Sequence, residues 1–281
     1  RPVGHVEAGL RTGSLEEPWP EEANRSLISR LSSLHFAPTE HARQNLLDEG
    51  LTPSSIHVTG NPVIDALKFV QPRARELARR HPALARLFAE PDAQLVLATA
   101  HRRENHGARL RQVIAALIQL AETLPSSWFA FSTHPNPSVQ SVVQEMLGSR
   151  RPANLVTLPP LPYEIFVGLM DRSTVILTDS GGLQEEAPSL GKPVLVLRDR
   201  TERVEAVQAG TVRLIGCDTQ RITSETLALL TNPELREAMR IVANPYGDGH
   251  AGEAIAKVCG EWIQRRDSVP SAAIPRDARG N

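Results

Sequence analysis

The alternation of short apolar runs with amphipathic stretches constrains this chain more than any other feature. Runs at 34–37, 56–59, 95–99, 128–132, 155–158, 175–178, 194–197 and 212–215 read as buried strands. Helical periodicity fills 21–34, 41–49, 110–122, 138–147 and 224–230 between them. A strand buried on both faces is written as a continuous apolar run, and crossover helices supply the cover. The pattern therefore predicts an α/β fold of parallel sheets. From residue 95 to about 231 there are enough strands for one complete doubly wound domain. Upstream lie only short strands and two helices, followed by an arginine-rich helix around 73–80 and the breakers Pro82 and Pro91. A parallel sheet this small covers its faces poorly, so the upstream part is expected to be the second half of a domain.

Charge and composition narrow the function classes. The 281 residues carry 31 basic and 32 acidic side chains, a net charge of −1, which argues against a nucleic-acid partner needing a basic face. No apolar run approaches the roughly 20 residues that span a bilayer, and no basic-then-apolar leader opens the chain. A cytoplasmic protein without membrane contact is expected. Cys217 and Cys259 are too few for a disulfide framework and are expected to be ordinary buried thiols. No histidine–carboxylate spacing resembles a metal site, and neither a nucleophile elbow nor a Walker loop is present.

Three segments carry chemistry. Thr178-Asp179-Ser180-Gly181-Gly182-Leu183-Gln184-Glu185-Glu186 follows a strand and opens a helix. Glycines there let a ligand approach the backbone, and unpaired N–H groups at the helix start favour an anion. Glu185 and Glu186 read as first-turn residues, one of them accepting from ribose hydroxyls; the plain alternative is an N-cap with glutamates complementing the helix dipole. A nucleotide diphosphate is the favoured ligand. The second segment, His101-Arg102-Arg103-Glu104-Asn105, offers a histidine for acid–base work and arginines for phosphate, or else a solvated charged loop. In the third, Glu7 ends a strand, and Glu21 and Glu22 open a helix. Glu7 and Glu21 would make a proton-shuttling pair if they met, which their spacing does not establish. His134 also follows a strand and would line the same cleft as His101.

Taken together, His5-Val6-Glu7-Ala8-Gly9-Leu10-Arg11-Thr12-Gly13, Pro18-Trp19-Pro20-Glu21-Glu22-Ala23-Asn24-Arg25 and Val58-Thr59-Gly60-Asn61 closely resemble segments of the non-hydrolysing UDP-N-acetylglucosamine 2-epimerases. So do the His101–Asn105 and Asp179–Pro188 segments and Asn244-Pro245-Tyr246-Gly247-Asp248-Gly249, in order over nearly the whole chain. The resemblance implies a GT-B-type fold, two Rossmann-like doubly wound domains facing a cleft, the first incomplete here. It divides the chain into residues 1–70 as the second half of an N-terminal domain and 71–245 as the UDP-binding domain. Residues 246–266 become a helix returning towards the first domain, and 267–281 a disordered tail. It implies reversible epimerisation at C2 of UDP-N-acetylglucosamine to UDP-N-acetylmannosamine, by elimination of UDP to 2-acetamidoglucal and re-addition, without metal or organic cofactor. Such a product feeds bacterial surface polysaccharides.

Position by position, Glu7, Glu21 and His101 match the family's acid/base group. Ser180, Gly181 and Gly182 match its diphosphate turn, Glu186 its ribose-binding glutamate, and Phe166 a residue of the uracil pocket. A second substrate molecule acting as activator is also implied, with Arg102, His134 and either Glu21 or Glu22 as contacts. Arg203 lies in Thr201-Glu202-Arg203, which resembles a cleft-facing segment, although Val204 replaces the family's usual proline. A homodimer is implied as well. The family's first strand, its arginine loop and a catalytic aspartate ahead of Glu7 have no match, so the chain is expected to be a fragment, or a late gene start, and inactive alone. The alternatives are a hydrolysing 2-epimerase, an epimerase of another UDP-2-acetamido sugar, and a non-catalytic UDP-sugar binder.

Overall fold

A computed structural model describes residues 2–16, 18–148, 151–240 and 244–267. The first part runs β1 (Gly4–Val6), α1 (Glu21–Leu31), β2 (Leu34–Ala37), α2 (Glu40–Asp48), β3 (Ile56–Val58), α3 (Pro62–Arg80) and α4 (Ala85–Ala89). The second runs β4 (Leu95–Thr99), α5 (Ala108–Thr123), β5 (Trp128–Ser132), α6 (Pro137–Leu147), β6 (Leu155–Leu158), α7 (Tyr163–Arg172) and β7 (Val175–Thr178). It continues through α8 (Gly181–Ser189), β8 (Val194–Val196), α9 (Val204–Gln208), β9 (Val212–Leu214), α10 (Thr219–Thr231), α11 (Pro233–Ala238) and α12 (Ala251–Asp267).

The apolar runs become strands of two parallel sheets, in the orders β1-β2-β3 and β6-β5-β4-β7-β8-β9. Every residue of β4 and of β7 is buried, as expected for strands covered on both faces. In the larger sheet the strand order reverses between β4 and β7. The carboxyl ends of the strands flanking such a reversal diverge into a crevice, the place where open α/β sheets bind ligands. The smaller sheet has its own core of Ala8, Leu10, Ala37, Ala42, Leu46 and Ile56.

The chain crosses between the sheets along α3. Asn61 caps this helix by accepting from Val63 N, and Pro62 occupies its first turn, where no N–H is needed. The buried face of α3 (Ile64, Leu67, Val70, Ala74 and Ala78) joins the same apolar cluster as Leu95, Leu97 and Ile176 of the larger sheet. Its contact with α7 is close enough to require glycine: a Cβ on Gly168 would lie 2.1 Å from Ala74 O. The expected division at residues 70 and 71 thus falls inside a helix that packs, along its length, on the second domain. Where a helix was expected over 246–266, α12 begins only at Ala251, its first turn capped from α3 by Asp65, which accepts from Ala251 N at 3.1 Å and Gly252 N at 2.6 Å. It runs to Asp267, and residues 268–281, the expected tail, lie outside the described residues. No described helix is long and apolar enough to cross a membrane.

Candidate active site

At the reversal point Thr99 and Thr178 close the ends of β4 and β7 with a hydroxyl–hydroxyl hydrogen bond of 2.7 Å. The next residue, Asp179, is fully buried and organises the loop opposite. Its Oδ2 accepts from the backbone N–H groups of His101 (2.9 Å) and Arg102 (2.8 Å), and from Asn105 Nδ2 (2.9 Å). Asn105 also donates to Leu197 O, tying the same loop to β8. Sequence reasoning named His101 and Arg102 but missed Asp179 and Asn105, whose adjacency to the glycine turn and to the His-Arg-Arg segment was the available signal. The His101 ring stands with Nε2 3.9 Å from Asp179 Oδ1. Burial lowers its pKa; Asp179 opposes this, while Arg102, His134 and His106 reinforce it.

Ser180 is the N-cap of α8, and its side chain makes no capping bond to the first N–H groups of the helix. Ser180, His101, His134, Phe166, Leu161 and Glu186 line one cleft of about 270 Å³. Glu185 and Glu186 are not in the first turn, as expected from sequence, but in the second, and both are buried. A helix that starts at Gly181 puts them too far along to complement its dipole. Glu186 accepts from Tyr163 Oη at 2.5 Å. Burial raises its pKa and the tyrosine bond opposes that.

A second cavity of about 470 Å³ adjoins the first and shares His101 and His134 with it, their ring centroids 6.0 Å apart. Trp19, Glu21 and Arg102 line its other sides, and Arg102 Nη1 lies 3.5 Å from Glu21 Oε1. Of the two glutamates left open by sequence, only Glu21 faces this cavity. Glu22 is 2% exposed, and its Oε1 accepts from the backbone N–H groups of Thr12 (2.9 Å) and Gly13 (3.1 Å). It lines neither of the two cavities.

Glu7 and Arg203 belong to a buried polar network that joins the two sheets. Asn61 Nδ2 donates to Glu7 Oε1 at 2.7 Å and also to Glu185 Oε2. Arg203 Nε donates to Glu185 Oε1 at 2.9 Å, and its Nη1 pairs with Glu202. Glu202 further receives Arg198 at 3.0 Å and, from α1, Arg25 at 3.4 Å. Glu7 and Glu21 thus sit in different clusters, Glu7 with Asn61 and Glu21 with Arg102. Cys217 is buried as expected, donating towards Asn105 Oδ1 and Leu197 O, whereas Cys259 is half-buried on α12. Among the described residues no group of three His, Cys, Asp or Glu side chains is arranged to hold a metal ion.

The sequence model of the family described as UDP-N-acetylglucosamine 2-epimerase matches residues 1–260. The chain belongs to the UDP-N-acetylglucosamine 2-epimerase family. It is 50% identical to the UDP-N-acetylglucosamine 2-epimerase of Escherichia coli K12 over 257 residues, covering 89% of this chain and 66% of that relative. The corresponding protein of Neisseria meningitidis is 48% identical, with 91% of this chain and 68% of the relative covered. The crystal structure of a Neisseria meningitidis UDP-GlcNAc 2-epimerase bound to UDP-GlcNAc superposes with a TM-score of 0.87 at 46% identity, covering 92% of this chain and 70% of that one. The 2-epimerase family match spans both sheets and extends into α12, and the GT-B arrangement is that of its solved members. The chain spans about two thirds of the length of these epimerase relatives.

Proposed function

We propose that this chain carries the site for reversible C2 epimerisation of UDP-N-acetylglucosamine to UDP-N-acetylmannosamine. The observation that carries the reading is the single cleft at the strand-order reversal that Ser180, His101, Phe166 and Glu186 line together. In this reading the α8 N-terminus, with Ser180, Gly181 and Gly182, holds the diphosphate through backbone N–H groups. Glu186, supported by Tyr163, takes the ribose hydroxyls, and Phe166 flanks the uracil ring. The chemistry is removal of the weakly acidic C2 proton with departure of UDP, followed by return of UDP and delivery of a proton to the other face of C2. Glu7, Glu21 and His101 form the acid/base group, and N–H donors at the phosphates stabilise the charge that develops as UDP leaves. His101, whose burial favours the neutral imidazole, has a ring nitrogen able to accept a proton at neutral pH.

The adjoining cavity of Glu21, Arg102 and His134 is the place for a second UDP-sugar as activator, since it shares the His101–His134 wall with the first. The assembly is a homodimer, the reaction uses neither metal nor organic cofactor, and the protein works in the cytoplasm on the route to surface polysaccharide.

The test is incubation with UDP-N-acetylglucosamine in deuterium oxide, for the chain alone and in frame with any upstream coding sequence. Deuterium at C2, with an equilibrating UDP-sugar pool and little free UDP, supports the proposal. Stoichiometric free UDP with N-acetylmannosamine would identify a hydrolysing enzyme. A melting temperature raised by UDP without exchange would identify a nucleotide-sugar binder. Absence of both UDP binding and exchange overturns the reading.

A further inference from the structure

Glu7 leaves β1 with φ of 60°, the only non-glycine residue in the left-handed region among those described. Such a conformation costs on the order of 1–3 kcal/mol and persists only where the surroundings over-determine it. Those surroundings converge on Asn61, which is 3% exposed. Its backbone N–H donates to Tyr246 O at 2.8 Å, and its Oδ1 accepts from Val63 N at 3.2 Å. Because Val63 N–H demands an acceptor, the orientation of the amide is fixed, and Nδ2 must point the other way. There it meets two carboxylates, Glu7 Oε1 and Glu185 Oε2. An amide nitrogen has two hydrogens, and each is committed to one acid. On its far side Glu185 is clamped by Arg203, itself locked by Glu202.

We infer that Asn61 is a positioning residue for the Glu7 carboxylate, and that by sharing its amide with Arg203-clamped Glu185 it makes Glu7 and Glu185 one coupled acidic pair. The inference rests on the proposed acid/base role of Glu7. Helix α3 begins at this residue, so the capping bond that starts the helix also fixes the amide that holds Glu7. The charged and titratable groups facing the pair are His5 on β1, Arg25 from α1, Arg203 from the segment before α9 and Tyr246 from the segment before α12. Burial pushes the Glu185 carboxyl up to about 7; Arg203 opposes this, the charge of Glu7 adds to it, and the Asn61 bond opposes it.

Two measurements test this on the full chain. In protein carrying carboxyl-labelled glutamate, the Glu185 resonance is assigned by its loss in Glu185→Gln and then titrated. Glu7→Gln is expected to lower its midpoint, because a like charge is removed, and Asn61→Ala to raise it, because a donor to the charged form is lost. In the exchange assay, Asn61→Ala is expected to lower kcat by about 10- to 100-fold, with KM and the UDP-induced shift in melting temperature unchanged within about twofold. Asn61→Asp keeps the α3 cap and donates only when protonated, so its rate should recover towards acid pH while that of Asn61→Ala does not. A Glu185 midpoint that ignores both Glu7→Gln and Asn61→Ala, or wild-type kcat in Asn61→Ala, overturns the inference. Should Asn61→Ala not fold, the Asn61→Asp pH profile decides, and a profile parallel to wild type overturns the inference. Failure to exchange C2 by the wild-type protein carrying its in-frame upstream sequence counts against the epimerase reading instead, and the Glu185 titration still decides the coupling.

Discussion

Gly181 and Gly182 stand side by side at the start of α8, yet a methyl group on each would meet different neighbours. A Cβ on Gly181 lies 2.7 Å from Arg203 Cζ and Nη1 and 3.0 Å from Nη2. A flexible arginine tip would normally swing aside. This one is 4% exposed and paired with Glu185 at 2.9 Å and with Glu202, so moving it loosens buried charge pairs. Over-packing a well-filled site costs about 1–3 kcal/mol. Losing a buried pair outright costs about 3–5 kcal/mol, which sets the ceiling. The helical preference for alanine over glycine returns at most about 1 kcal/mol. Gly181→Ala is therefore expected to lower stability by about 1–3 kcal/mol. A Cβ on Gly182 meets only Glu186 Oε2, at an ordinary contact distance of 3.5 Å. Gly182→Ala is expected to be neutral or to stabilise by up to about 1 kcal/mol. Yet it should weaken UDP binding, because its methyl group stands where the proposed diphosphate approaches the backbone. Urea denaturation with an unchanged m-value, paired with the UDP-induced shift in melting temperature, separates the two effects. Wild-type stability in Gly181→Ala would show that Arg203 yields freely and would refute the rigid network. A Gly182→Ala protein less stable than Gly181→Ala would refute the geometry itself.

Glu186→Gln is expected to weaken UDP binding about tenfold by calorimetry, a charge-assisted hydrogen bond being worth roughly 1.5–3 kcal/mol, with Tyr163→Phe acting in the same direction. An unchanged affinity in both variants would sink the ribose assignment. For Glu202, burial works to raise the carboxyl, but Arg203, Arg198 and Arg25 together hold it at about 2, below its ordinary 4.5. Its stabilisation is therefore present above pH 4.5 and lost as the pH falls through 2. Glu202→Gln should cost about 3–5 kcal/mol at neutral pH and flatten the acid limb of the urea midpoint against pH. An acid limb unchanged from wild type would contradict that account.

The larger sheet was legible because parallel strands buried on both faces announce themselves as apolar runs. The strands Leu95–Thr99, Trp128–Ser132, Leu155–Leu158 and Val175–Thr178 occupy the residues expected of them. The glycine turn was legible for a similar reason, since two glycines between strand and helix have few structural meanings. Helix α3 was not. Pro72 and a run of arginines interrupt its polar face, disguising a continuous buried stripe from Ile64 to Ala78 and placing the expected domain division in the middle of it. Glu185 and Glu186 were misread because sequence does not mark which glycine opens the helix, and a shift of one turn converts dipole-complementing surface residues into buried ligands of Arg203 and Tyr163.

The polar network was illegible for a deeper reason, since its partners have no local spacing at all. Glu7, Asn61 and Glu185 come from the turn after β1, the α3 cap and α8, and Arg25 reaches Glu202 from α1. Each residue taken singly is unremarkable for a loop or a helix end. What makes their burial tolerable is the interleaving of charge: Arg25, Arg198 and Arg203 lie among Glu7, Glu185 and Glu202, with Glu22 against Arg25 and Glu104 against Arg198 at the edges of the set. An acid buried alone would simply take up a proton, whereas in this set each acid has a cation within reach. Pairing of that kind is a property of the set, so removing any one member leaves its buried partners without their counter-charge, at a cost larger than the single contact it made. It follows that the two sheets are held in register by the same groups that hold Glu7 in its strained conformation. A substitution in α1 such as Arg25→Ala should therefore disturb Glu7 both directly and through Glu202, Arg203 and Glu185, although Arg25 lines neither of the two cavities.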